Sequence, residues 1–430
     1  MIQKLEIEFG GRTLSMETGK VAKQAQGAVW LQYGDTVVLV TACRTDAGED
    51  RGFFPLTVDY REKAYAAGRI PGNIFKREGR MSEKETLSAR LTDHQIRPMF
   101  PKGLFREVQV YVSVLSSDGE NDADVLGMLG ASAALSISDI PFAGPMGAVR
   151  VGRVEGEFKI NPTHTDLEVS DLDLIVSGTR DDIASVEGGA HEVSEEELLE
   201  ALKFAHLHIR ELVELQDELV ELVGKEKLVV EPPAVDEAMA AKVEELAKTR
   251  IGEANRTAQK EDRQGLLDSL RDEVLESLAE EFPESEKQIK DLYEKLIKAD
   301  MRAMILNEKR RIDGRGLEDV RPITSEAGVL PRTHGSAIFT RGQTQALCAA
   351  TLGTKFDERM VDDLRGKNFK SYFLDYNFPA FSVGEVRFER GPGRRDIGHG
   401  HLAERAIEPV IPSVETFPYT LRLVSDILES

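Results

Sequence analysis

Gly27-Ala-Val-Trp-Leu-Gln-Tyr-Gly34-Asp-Thr36 leads into the apolar run VVLVTA, and Gly335-Ser-Ala-Ile-Phe-Thr-Arg-Gly342-Gln-Thr344 leads, after one glutamine, into ALCAAT. Each stretch reads as strand, tight glycine turn, strand, which is a β-hairpin signature. The likeness continues outward. FFPLTVDY (53–60) parallels SYFLDYNF (371–378), and Gly68 in YAAGRI parallels Gly384 in FSVGEV. A polar loop rich in glycine and arginine follows in each case, GNIFKREGR (72–80) and RGPGRRDIGHG (390–400). Next comes a helix, SARLTDHQIRP (88–98) and LAERAIEPVIP (402–412), and then a strand, EVQVYVSVLSSDG (107–119) and PYTLRLVSDILES (418–430). The same blocks in the same order predict an internal duplication.

After its last matched strand the first copy runs on through a small-residue apolar helix, DVLGMLGASAALSI, and the strands GAVRVGRV, FKINPT and LDLIVSG. The second copy has no such continuation after VSDILES. A sheet cut there lacks the helix that should cover it, so the expectation is a fragment, or a partner chain that supplies the rest.

Between the copies the charge changes. Residues 194–300 hold 29 Asp/Glu against 15 Lys/Arg, two thirds of the chain's net charge of −21. SEEELLEALKFAHLHIRELVELQDELVELVG spaces its apolar residues as a helix does, and Ser194 with Glu197 forms a capping box. VVEPPAV, with Pro232 and Pro233, reads as a break. A second helical set is expected from about Val235 to Asn307, with the polar stretch Asn255 to Gly265 as a connection. This acidity reads as solvated helix surface, or as a face that repels nucleic acid. Basic charge gathers in two short windows instead: 11 Lys/Arg against 6 Asp/Glu at 61–110, and five arginines with His399 and His401 at 387–405.

The 430 residues exceed one compact domain, and 41% hydrophobic with 30% charged residues is ordinary globular composition. No apolar run is long enough to span a membrane, and MIQKLEIEFGGRTL lacks the apolar core of a signal peptide. The two cysteines, Cys43 and Cys348, fall in no metal spacing. A reduced, cytoplasmic setting is expected, with no membrane partner.

YAAGRIPGNIFKREGR, LPRTHGSAIFTRGQTQAL and above all GRRDIGHGHLAERA followed by FPYTLRLVSDILES resemble bacterial polynucleotide phosphorylase, over the whole chain. The resemblance implies an α+β fold of two ribonuclease PH-like domains, of the kind shared with ribosomal protein S5 domain 2, flanking an all-helical domain. The expected spans are 1–230, 231–307 and 308–430, the last an incomplete copy. It implies a processive 3′→5′ exoribonuclease that uses inorganic phosphate, releases nucleoside diphosphates and runs in reverse as a polymerase. It further implies single-stranded RNA as substrate, a homotrimeric ring, Mg²⁺ or Mn²⁺, and an RNA-degradation complex with an endonuclease and a helicase.

Such chemistry brings two anions together, so it calls for arginine donors and a divalent ion. Arg394 and Arg395 suit that role, since Gly391-Pro-Gly393 lets the backbone approach a ligand closely. By resemblance they meet RNA phosphates, and His399 is carried over beside them. His399 and His401, spaced i, i+2 on a loop, do not make a metal site on spacing, and His401 is expected to face solvent. The serine-rich phosphate turn and the metal aspartates are expected beyond Ser430, with no metal ligand inside the chain. In the first copy Asp171 and Asp173 occupy the corresponding strand and Asn121-Asp-Ala-Asp124 the corresponding turn. Carboxylates stand there where an anion should bind, so that copy is expected to be catalytically dead, with Asp171 and Asp173 a degenerate metal pair or plain strand-edge residues.

That copy is expected to bind RNA. Phe75, Lys76 and Arg77 match the family's channel loop, where an aromatic ring stacks on a base; Ile74 replaces a second aromatic. Arg80, Arg90 and Arg97 are further phosphate contacts, and Asp93-His94-Gln95 departs from the family's Asp-Arg-Pro step. The alternatives are a non-catalytic RNA-binding ring scaffold, a phosphate-independent hydrolase and a purely structural protein.

Overall fold

The computed structural model describes residues 2–230, 236–388 and 390–430, so Pro232 and Pro233 lie outside the described residues. The chain forms two compact units, Met1–Glu231 with Ser325–Ser430, and Pro232–Thr324.

In the first unit six strands, β1 (Gln3–Phe9), β2 (Arg12–Thr18), β3 (Gly27–Tyr33), β4 (Thr36–Gly48), β5 (Leu56–Glu62) and β6 (Arg106–Ser116), form a sheet in the order β1-β2-β3-β4-β6-β5. Only β5 and β6 run parallel, because helix α1 (Glu83–Ile96) carries the chain between them. Ser82 and Glu85 close the capping box that starts α1. Helix α2 (Ala123–Ile137) is buried along its whole length. Its glycines let it settle on the sheet: a methyl at Gly130 would stand 2.4 Å from Val40 and 2.7 Å from Leu31. A second sheet, β7 (Gly147–Val154), β8 (Glu157–Ile160), β9 (Leu172–Gly178) and β10 (Ile183–Ala190), is antiparallel in the order β10-β9-β7-β8. The short helix α3 (His164–Leu167) and the long helix α4 (Glu195–Val223) complete this copy, α4 starting on the expected Ser194–Glu197 box.

The second unit holds α5 (Glu237–Asn255), α6 (Lys260–Leu278) and α7 (Glu286–Ala303) around Val243, Ile251, Leu270, Val274, Ile289 and Tyr293. Here the expectation needs correcting. Only 256–259 connect α5 to α6, and the polar residues 260–265 are helical, with Glu261 and Asp262 favoured at the positive N-terminal end. Leu267, Leu270, Val274 and Leu278 carry its one buried stripe.

The duplication returns in β11 (Ile323–Ala327), β12 (Gly335–Arg341), β13 (Thr344–Gly353), β14 (Arg359–Asp363), β15 (Gly366–Lys370), β16 (Tyr372–Asn377), helix α8 (Arg394–Ile407) and β17 (Thr420–Glu429). The sheet order β11-β12-β13-β17-β16, with β16 parallel to β17, repeats β2-β3-β4-β6-β5. The β14–β15 hairpin has no counterpart in the first copy and was not foreseen. Where alternate residues of β3 are fully buried, β12 and β13 have no buried residue and are exposed at Phe339, Arg341 and Thr351, because among the described residues nothing equivalent to α2 covers them. No helix among the described residues is long and apolar enough to cross a membrane.

Candidate nucleic-acid interface

Gly391, at φ +86°, turns the chain into α8, and Gly393 caps it by donating its N–H to Asp396 Oδ2 at 2.8 Å. The first N–H groups of a helix have no partner within it, so this end attracts anions. Arg394 reaches into the first copy: its guanidinium donates to the Val58 carbonyl at 2.6 Å and to Asp59 Oδ1 at 2.5 Å. Asp59 Oδ2 is held in turn by Gln109 Nε2 at 2.9 Å. Arg395 is exposed. His399 sits edge-on to Tyr376 at 5.4 Å, and burial, Arg395 and Arg90 together depress its pKa. Arg90 arrives from α1, and a methyl at Gly398 would lie 2.5 Å from its Nε. The structure therefore brings Arg90, Arg395 and His399 to one place, with Arg394 fixed alongside.

The glycine- and arginine-rich loop of the first copy spans 72–80. Asn73 organises its tip, accepting from Lys76 N at 3.0 Å through its carbonyl and donating from Nδ2 to Arg77 O at 2.7 Å. Ile74 and Phe75 are 92% and 87% exposed, an arrangement that leaves both side chains open to a ligand. Lys76, Arg77 and Arg80 are exposed as well. Arg69, at the base of the loop, donates to Asp362 Oδ1 and the Asp363 carbonyl of the β14–β15 hairpin, both at 2.5 Å. Arg97 differs from the other basic candidates. Its guanidinium is spread over Asp93, at 2.8–3.2 Å, and the carbonyls of Phe54 and Leu56, at 3.2 and 3.3 Å.

The acidic turn and strand of the first copy pair with arginines. Arg153 takes Asp171 at 2.6 Å and Glu197 at 2.5 Å. Arg150, its side chain 11% exposed, takes Asp124 at 2.5 Å and Asp173 at 2.7 Å, with Asp122 at 3.6 Å. Lys84 adds Glu62 and Asp122, each at 3.2 Å. Burial alone would raise Asp122, but Lys84 and Arg150 outweigh it and hold the carboxyl well below its usual range. Burial does raise Asp124, against the pull of Arg150. Cations of the chain itself thus fill the place considered for a degenerate metal pair. Sequence reasoning named these aspartates but missed Arg150, Arg153 and Lys84, whose spacing carries no signal.

His401 does not simply face solvent. It turns toward Glu83 and Glu404, which sequence separation had hidden.

Comparison with known proteins places these observations. The model of the 3′ exoribonuclease family, domain 1, matches residues 10–141 and 319–430; that of domain 2 of the same family matches 144–207; and that of the polyribonucleotide nucleotidyltransferase RNA binding domain matches 238–316. The chain is similar to the polyribonucleotide nucleotidyltransferases of Geotalea uraniireducens (52% identity over 431 residues, 100% of this chain and 62% of that protein), Syntrophotalea carbinolica (52%, 100% and 61%) and Geobacter sulfurreducens (51%, 99% and 61%). It thus spans about three fifths of the length of these relatives. A crystal structure of rice Rrp46 is similar at 14% identity and a TM-score of 0.40, covering 48% of this chain and 94% of that one. The duplicated sheet, matched by one family model in both copies over more than half of the residues, shows that the chain belongs to the 3′ exoribonuclease family.

Proposed function

We propose that the chain is the RNA-threading part of a phosphate-dependent, processive 3′→5′ exoribonuclease that releases nucleoside 5′-diphosphates and can run in reverse. The observation that carries this reading is the convergence of Arg90, Arg395 and His399 at the N-terminal turn of α8, since a scissile phosphodiester and an attacking phosphate both need fixed donors. In this reading Arg395 and Arg90 hold RNA phosphates, His399 adds a ring donor, and Arg394 fixes the turn through Val58 and Asp59. Phe75 stacks on a base, and Lys76, Arg77 and Arg80 meet the backbone. The first copy (1–230) guides RNA while the second (308–430) belongs to the reacting end. A homotrimeric ring, a cytoplasmic setting and a degradation complex with an endonuclease and a helicase belong to the same proposal.

A reaction-bound Mg²⁺ or Mn²⁺ does not fit the residues around His399. Asp396 caps α8 and Asp59 holds Arg394, so neither nearby carboxylate is free. The ligands of that ion are proposed to lie in the remainder that the relatives carry.

The test is ADP release from poly(A), with Mg²⁺, with and without phosphate, by this chain and by one extended to the relatives' length. Phosphate-dependent ADP from the extended chain supports the proposal. AMP without phosphate would mean a hydrolase. RNA binding with no product from either chain would mean a scaffold.

A further inference from the structure

Helices α1 and α8 lie against each other, one from each copy. Glu83 is the first residue of α1. On α8, His401 and Glu404 are spaced i, i+3 and share a face. One ligand atom from each of the three lies within 4.8 Å of the others. His401 Nδ1 is buried, has no hydrogen-bond partner, and stands 3.7 Å from Glu83 Oε1. Glu404 is 6% exposed; its Oε2 accepts from the Leu374 N–H at 2.9 Å and its Oε1 pairs with Lys370 Nζ at 2.7 Å. Lys370 also comes within 3.9 Å of Glu83, and its side chain is 36% exposed. Two carboxylates thus face one ammonium and one ring nitrogen that has no hydrogen-bond partner, with Arg359 acting on Glu83 from further off.

We propose that Glu83, His401 and Glu404 bind one divalent transition ion of the zinc or manganese class, which staples the two copies together. One imidazole with two carboxylates is a mixed N/O set that suits such ions, whereas Mg²⁺ prefers an all-oxygen shell. Bonds of about 2.0–2.2 Å bring ligand atoms to within roughly 3–4 Å of each other, a small closure for three side chains on two packed helices. Lys370 is the built-in competitor. It occupies Glu404 Oε1 and swings to solvent when the ion enters. This staple is separate from the reacting ion, and its existence does not depend on the RNA reading.

The experiment is calorimetric titration of the metal-freed chain with ZnCl₂ and with MnCl₂, together with the visible spectrum on CoCl₂ addition. One zinc ion per chain is expected, binding more tightly than manganese, with a cobalt d–d band. His401→Ala should weaken zinc binding at least about 100-fold, the upper end of what losing even an outer-shell partner costs, and remove the cobalt band. Glu83→Gln should weaken it similarly while far-UV circular dichroism stays unchanged. Lys370→Met should bind several-fold more tightly, a gain that a purely structural lysine would not produce. No stoichiometric binding by the unsubstituted chain, equal binding by His401→Ala, or weaker binding by Lys370→Met would each overturn the site.

Discussion

Arg150→Met in β7 removes the cation from the most charge-dense buried group of the first copy. Asp124 and Asp173 lose their partner at 2.5 and 2.7 Å, and Asp122, at 3.6 Å, is left with Lys84 alone. Breaking a buried pair from one side typically costs about 3–5 kcal/mol, because an uncompensated charge stays behind. Against a usual stability of about 5–15 kcal/mol that is a large fraction. With a urea m-value near 3 kcal/mol/M, the midpoint should fall by about 1–1.7 M. Trp30, the chain's single tryptophan, lies on β3 of the same copy and reports the transition by fluorescence. Asp124→Asn added to Arg150→Met should recover about 1 kcal/mol or more, since the two residues touch. The pH dependence has a definite sign. Burial already raises Asp124, so the folded state holds its proton more tightly than the unfolded chain. Losing Arg150 raises it further, so the variant's deficit should shrink as pH falls from 7 toward 5. A midpoint within 0.2 M of the unsubstituted chain, or a deficit that grows on acidification, would refute the idea that this arginine neutralises the acidic turn.

Phe75→Ala should leave stability unchanged, since the ring is 87% exposed, yet weaken binding of a 30-mer oligoadenylate by roughly 5- to 150-fold, the worth of one stacked base; equal losses for a 30-mer and a tetramer would contradict a channel role. Arg395→Ala should lower the slope of log affinity against log salt by about 0.7, one phosphate contact on a single strand, whereas Arg394→Ala, already committed to Asp59, should barely change that slope. A drop of equal size for both would show Arg394 to be free for phosphate. His399 is held below its ordinary pKa by burial and by Arg395 and Arg90, so RNA affinity should rise about tenfold as pH falls from 7 to 5 and the ring gains a charged donor; His399→Ala should flatten that rise, and an unchanged profile would remove the ring from the interface.

The order of elements was legible because it is written locally. Glycine turns flanked by apolar strands recur in β3–β4 and β12–β13, and Ser194 with Glu197 announces α4. What escaped was edge structure and distant pairing. Strand β10 reads AS-V-E-G-G and is exposed at nearly every position, so no apolar alternation marks it. Its Gly188 is there because a methyl would stand 2.2 Å from the Asp173 carbonyl. The polar start of α6 hid a helix whose only buried stripe begins at Leu267. At the candidate site the basic residue types could be listed from sequence, but which guanidiniums are already occupied could not. Arg97 and Arg394 find their partners 43 and 335 residues away, and Glu83 meets His401 only because two copies of one fold pack helix to helix.

The bond between Arg394 and Asp59 also says something about how this chain comes off the ribosome. At about 5–20 residues per second, Asp59 emerges roughly 17 to 67 seconds before the arginine that will hold it, 335 residues downstream. During that interval the flank of α1 and the β5 edge of the first copy are finished surfaces with no mate. The three-helix unit that is translated in between has an apolar centre of its own. Slowing translation through 232–324 should therefore lengthen the exposure of α1, and the cell's chaperones would meet this protein first along that helix.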